Sequence, residues 1–159
     1  MPGPRAGTKQ DKGMSTFEEI LEKDGKLVYK TKGVSMNPML YQNRDLVVIE
    51  VPKGRLKKYD VALYKRGKSY VLHRVIGVNE DGTYSIRGDN TYSIETVPEE
   101  AVIGVLTSFV RDGKQYSVTG PEYLRYVKFW CEAYPARSFY THAKWRTKAV
   151  LRRIIKGKK

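Results

Sequence analysis

A mainly β domain, with one short helix before it and two basic helices after it, is the architecture this sequence predicts. Three observations carry that reading. From about residue 25 to residue 110 the chain breaks into short runs rich in β-branched and aromatic residues, punctuated by Gly, Asn, Asp and Pro. On either side the apolar spacing changes to that of helices. The composition fits one folded domain: 159 residues, 40% of them hydrophobic, with modest glycine and proline, which is enough chain to bury a core.

The elements follow in order. Residues 1–13 mix Pro, Gly and Lys without periodicity and read as a disordered leader. The β domain with its N-terminal helix is expected over 14–118, and a basic helical extension over 119–159. The helix opens on Ser15 or Thr16 as N-cap, carries Glu18 and Glu19 in its first turn, and places Phe17, Ile20 and Leu21 on one face before stopping at Asp24-Gly25. The predicted strands are LVYKT, DLVVIEV, DVALYK, YVLHRVIGV, TYSIRG, VIGVLTSFV and, last, QYSVT. Hairpin turns are expected at Lys65-Arg66-Gly67-Lys68 and Asn79-Glu80-Asp81-Gly82, where glycine supplies a positive φ. Pro121 suits a first helical position, and helices are predicted over 121–133 and 138–155, separated by Tyr134-Pro135. The second places Ala143, Val150, Leu151, Ile154 and Ile155 among Lys and Arg, and the chain closes on a lysine-rich Lys156-Gly-Lys-Lys.

Charge is uneven. The chain carries 30 Lys and Arg against 17 Asp and Glu, a net of +13, and +10 of it falls between Arg111 and Lys159. A field of that sign attracts nucleic acid, anionic lipid or acidic protein, and charge alone does not choose among them. One cysteine, Cys131, and no Cys/His cluster exclude an intramolecular disulfide and a conventional zinc site. No metal or cofactor is expected. Cys131 beside Trp130 reads as a packed thiol, and His142 in the tail as a surface residue. The longest nearly apolar stretch, 101–110, falls short of the roughly 20 residues a membrane helix needs, and the first residues lack the apolar run of a secretory signal. The expected location is the cytoplasm, with peripheral contact at the inner face of the membrane.

Four elements arrive in order within the β region: Gly33-Val34-Ser35-Met36-Asn37-Pro38; the paired Asp-led strands Arg44-Asp45-Leu46-Val47-Val48 and Tyr59-Asp60-Val61-Ala62-Leu63; Leu72-His73-Arg74-Val75-Ile76-Gly77; and Arg87-Gly88-Asp89-Asn90. Each alone is weak, and a lone loop serine or strand histidine is ordinarily structural. In this order and spacing they resemble the type I signal peptidase and LexA-like serine peptidase superfamily, over roughly 33–110. Bacterial signal peptidases and LexA-type proteins use a Ser/Lys pair. Here the slot before Arg-Val-Ile-Gly holds His73, as in the archaeal and endoplasmic-reticulum type.

The resemblance implies Ser35 as nucleophile and His73 as general base. Physical chemistry is consistent with that. A serine hydroxyl needs a base within hydrogen-bond reach, and histidine titrates near neutral pH. A carboxylate that holds the imidazole tautomer is a common third member. Asp89 is one candidate, and the resemblance implies another, Glu95, six positions on. Sequence leaves both open. Asp45 and Asp60 read as strand-entry turn residues, and Arg74 as a buried structural partner. The backbone N–H of Ser35 is the expected first oxyanion donor. Many signal peptidases place a second serine two residues earlier, where this chain has Gly33, so the second donor is unassigned. Pro38, with its fixed φ, is expected to stiffen the turn.

The expected function is therefore a serine endopeptidase cleaving an extended peptide or protein precursor. The alternative is a non-catalytic peptide-binding or regulatory module of the same fold. The chain departs from the signal peptidases in lacking a transmembrane helix just before the serine box. Its tail interleaves Tyr123, Tyr126, Phe129, Trp130, Tyr134, Phe139, Tyr140 and Trp145 with Lys and Arg. That composition suits either helices lying on an anionic membrane or aromatics packed on the β domain. LexA-like proteins carry a helix-turn-helix ahead of the peptidase. Only about 30 residues with one short helix precede Ser35 here, which argues against sequence-specific DNA binding.

Overall fold

The computed structural model describes residues 16–156, and within them the side chains of Trp145 and of 149–156 are not described. The predicted leader 1–13, the cap candidate Ser15, the terminal 157–159 and the predicted apolar positions Val150, Leu151, Ile154 and Ile155 thus lie outside the described residues or side chains. Helix α1 (Phe17–Asp24) begins with a reciprocal cap. The Thr16 hydroxyl accepts the Glu19 amide at 3.2 Å, and the Glu19 carboxylate accepts the Thr16 amide at 3.1 Å.

Eight antiparallel strands follow: β1 (Lys26–Lys30), β2 (Leu46–Glu50), β3 (Val61–Arg66), β4 (Ser69–Val78), β5 (Thr83–Arg87), β6 (Glu95–Pro98), β7 (Val102–Arg111) and β8 (Lys114–Ser117). They form one sheet in the order β1-β2-β7-β3-β4-β5-β6, with β8 added on β7. The long strand β7 organises it. One edge of β7 pairs with β2, while the other pairs with β3 at residues 102–105 and with β8 at residues 108–111. Both faces of the sheet are covered, as β3 records directly. Val61 and Leu63 enter one apolar cluster with Leu27, Met36, Ile49 and Leu106. Ala62 and Tyr64 enter a second with Val75, Tyr84 and Ile86, as a two-residue period requires.

Two features differ from the sequence expectation. Residues 95–98 form a strand that was not foreseen, because Glu-Thr-Val-Pro has a single aliphatic residue and ends in proline. β6 is an outermost strand, the position where such a segment is tolerated. The last helix, α3 (Tyr134–Lys156), starts four residues earlier than predicted and follows α2 (Pro121–Glu132) almost directly. Pro135 lies in the first turn of α3, where an amide hydrogen has no helical partner, so it opens the helix instead of separating two.

Candidate active site

Ser35 lies in the 31–45 connection between β1 and β2. The segment folds back on itself through Asn37 N–H to the Val34 carbonyl (3.2 Å) and Leu40 N–H to the Met36 carbonyl (2.9 Å). Met36, Met39 and Leu40 anchor it in the core. Gly33 has a φ of +86°, a left-handed conformation that strains other residues. A serine at this position would be held at that cost. The Gly33 amide is in any case occupied by Gln42 Oε1 at 2.8 Å. From the other side Asn90 holds the turn: its amide donates to the Ser35 carbonyl at 2.8 Å, and its side chain to the Val34 carbonyl at 3.2 Å.

His73 stands in β4, opposite Ala62 of β3, and is only 7% exposed. Its two ring nitrogens meet different surroundings. Nδ1 lies 3.4 Å from the Tyr64 hydroxyl and 3.6 Å from Glu95 Oε1. The Nε2 edge faces the serine turn across Gly88. A Cβ built on Gly88 would fall 3.1 Å from Nε2 and 2.6 Å from the Ser35 carbonyl oxygen. Gly88 thus lets the serine turn and the imidazole approach a common point. Among the described residues no hydrogen bond joins Ser35 to His73. Burial holds the His73 pKa below its ordinary value, against the pull of Glu95 in the other direction, with Arg66 adding to the lowering. The imidazole is therefore in its neutral, proton-accepting form at neutral pH. Burial and the neighbouring Glu95 carboxylate also keep the Tyr64 phenol protonated.

The two candidate carboxylates part company across β4. Successive residues of a strand point to opposite faces, so His73 and Arg74 do too. Asp89 follows Arg74. Its oxygens accept from Arg74 Nε and Nη2, each at 2.7 Å, and from the Tyr126 hydroxyl at 2.9 Å. Arg74 is fully buried and also donates to the Tyr59 carbonyl and the Tyr123 hydroxyl. Burial works against its charge, but the Asp89 carboxylate outweighs that and raises its pKa well above the usual value. The Asp89 carboxylate is thus spent on the arginine, and among the described residues no hydrogen bond joins it to His73. Glu95 arrives on the His73 face through register, since Val75 pairs with Ile86 and Ile86 with Glu95. Its carboxylate also accepts from Arg66 Nη1 at 2.8 Å.

Asp45 and Asp60 take structural positions. Asp45 is fully buried and accepts from the Tyr41 amide, Arg44 and Arg111. Asp60 accepts the Lys57 amide at 2.8 Å, closing the turn before β3.

Ser35, His73 and Glu95 line one cleft of about 810 Å³ between the 29–36 segment, the β3–β4 hairpin and residues 91–95. Buried Met36, Leu40 and Leu72 reach its wall, and Asp89 is not among its lining residues. Thr31 also lines it, with a buried hydroxyl that has no hydrogen-bond partner among the described residues. Sequence reasoning missed Tyr64, Arg66, Thr31 and Asn90. A signal for the first two existed: the two-residue turn Gly67-Lys68 pairs Arg66 with Ser69 and sets Ala62 opposite His73. That register puts Tyr64 and Arg66 on the His73 face. Thr31 and Asn90 had no comparable signal.

Part of the tail packs on the β domain. Tyr123 and Tyr126 pack against the sheet cluster, Trp130 Nε1 and Arg137 donate to the Asp89 carbonyl at 3.0 Å each, and the Tyr134 hydroxyl donates to the Tyr92 carbonyl. Phe129, Phe139 and Tyr140 are exposed. Cys131 is half-buried, with its thiol pKa raised by burial. His142 is exposed on α3 with Nδ1 at the Ser138 carbonyl. Among the described residues no helix is long and apolar enough to cross a membrane, and no group of His, Cys, Asp and Glu gathers as a metal site. No model of a known protein family matches the chain, and no curated protein shows significant similarity to it.

Proposed function

We propose that this protein is a serine endopeptidase of the signal-peptidase and LexA-like kind, with Ser35 as nucleophile, His73 as general base and Glu95 as the carboxylate behind it. One observation carries the reading: a neutral, buried imidazole has a carboxylate at Nδ1 and the serine turn at its Nε2 edge, all three on one cleft. His73 Nε2 takes the Ser35 hydroxyl proton as Oγ attacks the peptide carbonyl. Glu95 steadies the imidazolium that forms, which then protonates the leaving amine. Water, activated by the same imidazole, releases the acyl group. The first oxyanion donor is the Ser35 amide. Among the described residues strand β1 pairs only with β2, so its outer edge offers backbone groups beside the cleft to an extended peptide.

The missing hydrogen bond between Ser35 and His73 does not count against this, because such contacts commonly tighten only with substrate bound. It does, with the occupied Gly33 amide, keep a second reading in view: a peptide-binding module that does not cleave. A reactive phosphonate separates the two. Wild type should acquire one adduct by intact mass, and Ser35→Ala and His73→Ala should acquire none. A folded wild type that stays unlabelled from about pH 6 to about pH 9, the range spanning histidine titration, would sink the peptidase reading. The proposal also places exposed Phe129, Phe139 and Tyr140 and their cationic neighbours on anionic membrane at its cytoplasmic face. Cosedimentation with phosphatidylserine vesicles, and its loss in Phe129→Ser/Phe139→Ser, tests that part.

A further inference from the structure

The cleft has a charge pattern that the chemistry above does not use. Lys30 and Lys32 stand on one wall, at and just after the end of β1, and Arg66 and Lys68 on the other, at the turn of the β3–β4 hairpin. The single acidic residue among the lining side chains is Glu95, which is paired with Arg66 and set against His73. Lys30, Lys32 and Lys68 are exposed and form no ion pair among the described residues. The neighbouring Lys65, outside the cleft, does find one, with Glu18 at 2.9 Å. Edge strands often carry lysines to discourage pairing with other chains, and Lys30 alone would fit that explanation. Lys32 and Lys68 are not on β1, and their convergence from opposite walls is not needed to protect an edge.

We infer that the cleft selects acidic extended peptides, with Asp or Glu side chains flanking the bond at Ser35 and reaching the Lys30/Lys32 wall and the Lys68 wall. This rests on the reading of the cleft as a peptide site. A channel lined by one sign of charge between low-dielectric walls concentrates ligands of the opposite sign. It also rejects peptides of its own sign, and such rejection contributes as much to specificity as attraction does.

The test is binding, read on full-length Ser35→Ala protein so that turnover plays no part. Three fluorescein-labelled peptide pools share their small and apolar residues and differ only in carrying Asp/Glu, Asn/Gln or Lys/Arg at the remaining positions. Anisotropy should rank acidic above neutral above basic, with at least about a tenfold advantage of acidic over neutral that shrinks between about 0.05 M and about 0.5 M salt. The variant Lys30→Gln/Lys32→Gln/Lys68→Gln should lose most of that advantage. The variant Lys128→Gln/Lys144→Gln/Lys148→Gln changes the net charge equally on the exposed tail and should keep it. Equal losses in the two variants would show that the overall field of the protein selects acidic peptides, and would overturn the inference, as would an unchanged preference in the cleft variant. Failure of the wild type to react with the phosphonate would overturn the peptidase reading and leave this binding result unaffected.

Discussion

Neighbouring residues of one strand, His73 and Arg74, each meet a carboxylate, and the two pairs are built on opposite principles. Arg74 and Asp89 are sealed: one is fully buried and the other 6% exposed, they share two hydrogen bonds, and two tyrosines complete them. A buried ion pair of that kind offsets a large desolvation cost only when every group is satisfied. His73 and Glu95 are loose. The ring is buried and the carboxylate partly exposed, 3.6 Å apart, with Arg66 drawing the carboxylate toward the cleft. The fully satisfied pair fixes the frame, while the imidazole of the other is left without a close hydrogen bond to its carboxylate.

The largest effect should come from breaking the sealed pair. Asp89→Ala or Arg74→Ala leaves one charge buried without its partner and should cost about 3–5 kcal/mol in denaturant unfolding. Replacing both, as Arg74→Met/Asp89→Leu, should recover most of that loss. If the single variants lose under about 1 kcal/mol, the range of an exposed ion pair, the contrast collapses. On the loose side, Glu95→Gln should slow phosphonate labelling at least about a hundredfold with far less effect on stability. Labelling of wild type should rise with pH along a limb centred below the ordinary histidine value of about 6.5, because burial lowers the His73 pKa. Glu95 raises that pKa, so Glu95→Gln should move the limb to more acidic pH, and a limb that stays in place would remove Glu95 from the base.

Gly88→Ala sharpens the comparison from between the two pairs. Its methyl would press on the Ser35 carbonyl and the Nε2 edge of His73, costing about 1–3 kcal/mol as overpacking does, with labelling falling more than Asp89-side packing would explain. The smallest effect belongs to Glu18, whose carboxylate, bonded to Tyr70 and then to Lys65, has its pKa lowered from 4.5 to about 2. Its contribution is present above the unfolded-state value and fades as pH falls toward 2. Because the pair is partly exposed, Glu18→Gln should cost under about 1 kcal/mol at neutral pH in thermal unfolding.

Seven of the eight strands were legible because β-branched runs and positive-φ turn residues punctuate them. Strand β6 was not, since nothing in Glu-Thr-Val-Pro distinguishes an outermost strand from a loop before register places it. The same omission left Asp89 and Glu95 undecided: Glu95 reaches the His73 face only by way of that strand. Ser35 and His73 were picked out by motif order, but their shared approach to Gly88 depends on a loop geometry that no local pattern encodes. The tail was legible as amphipathic and basic. Which of its aromatics turn inward was not, because that depends on where the Asp89 carbonyl and the Tyr92 carbonyl stand.

The Gly88–Asn90 loop is held from two directions. Asn90 grips the serine turn, near the start of the domain, and Trp130 and Arg137 grip the Asp89 carbonyl from helices near its end. During vectorial synthesis the serine turn emerges first, its clasp later and the helices that brace the clasp last of all. The chain therefore completes the bracing around Ser35 only after α2 and the start of α3 have docked. A nascent chain carries the serine turn and its Asn90 clasp before the Asp89 carbonyl beside them has gained its Trp130 and Arg137 partners.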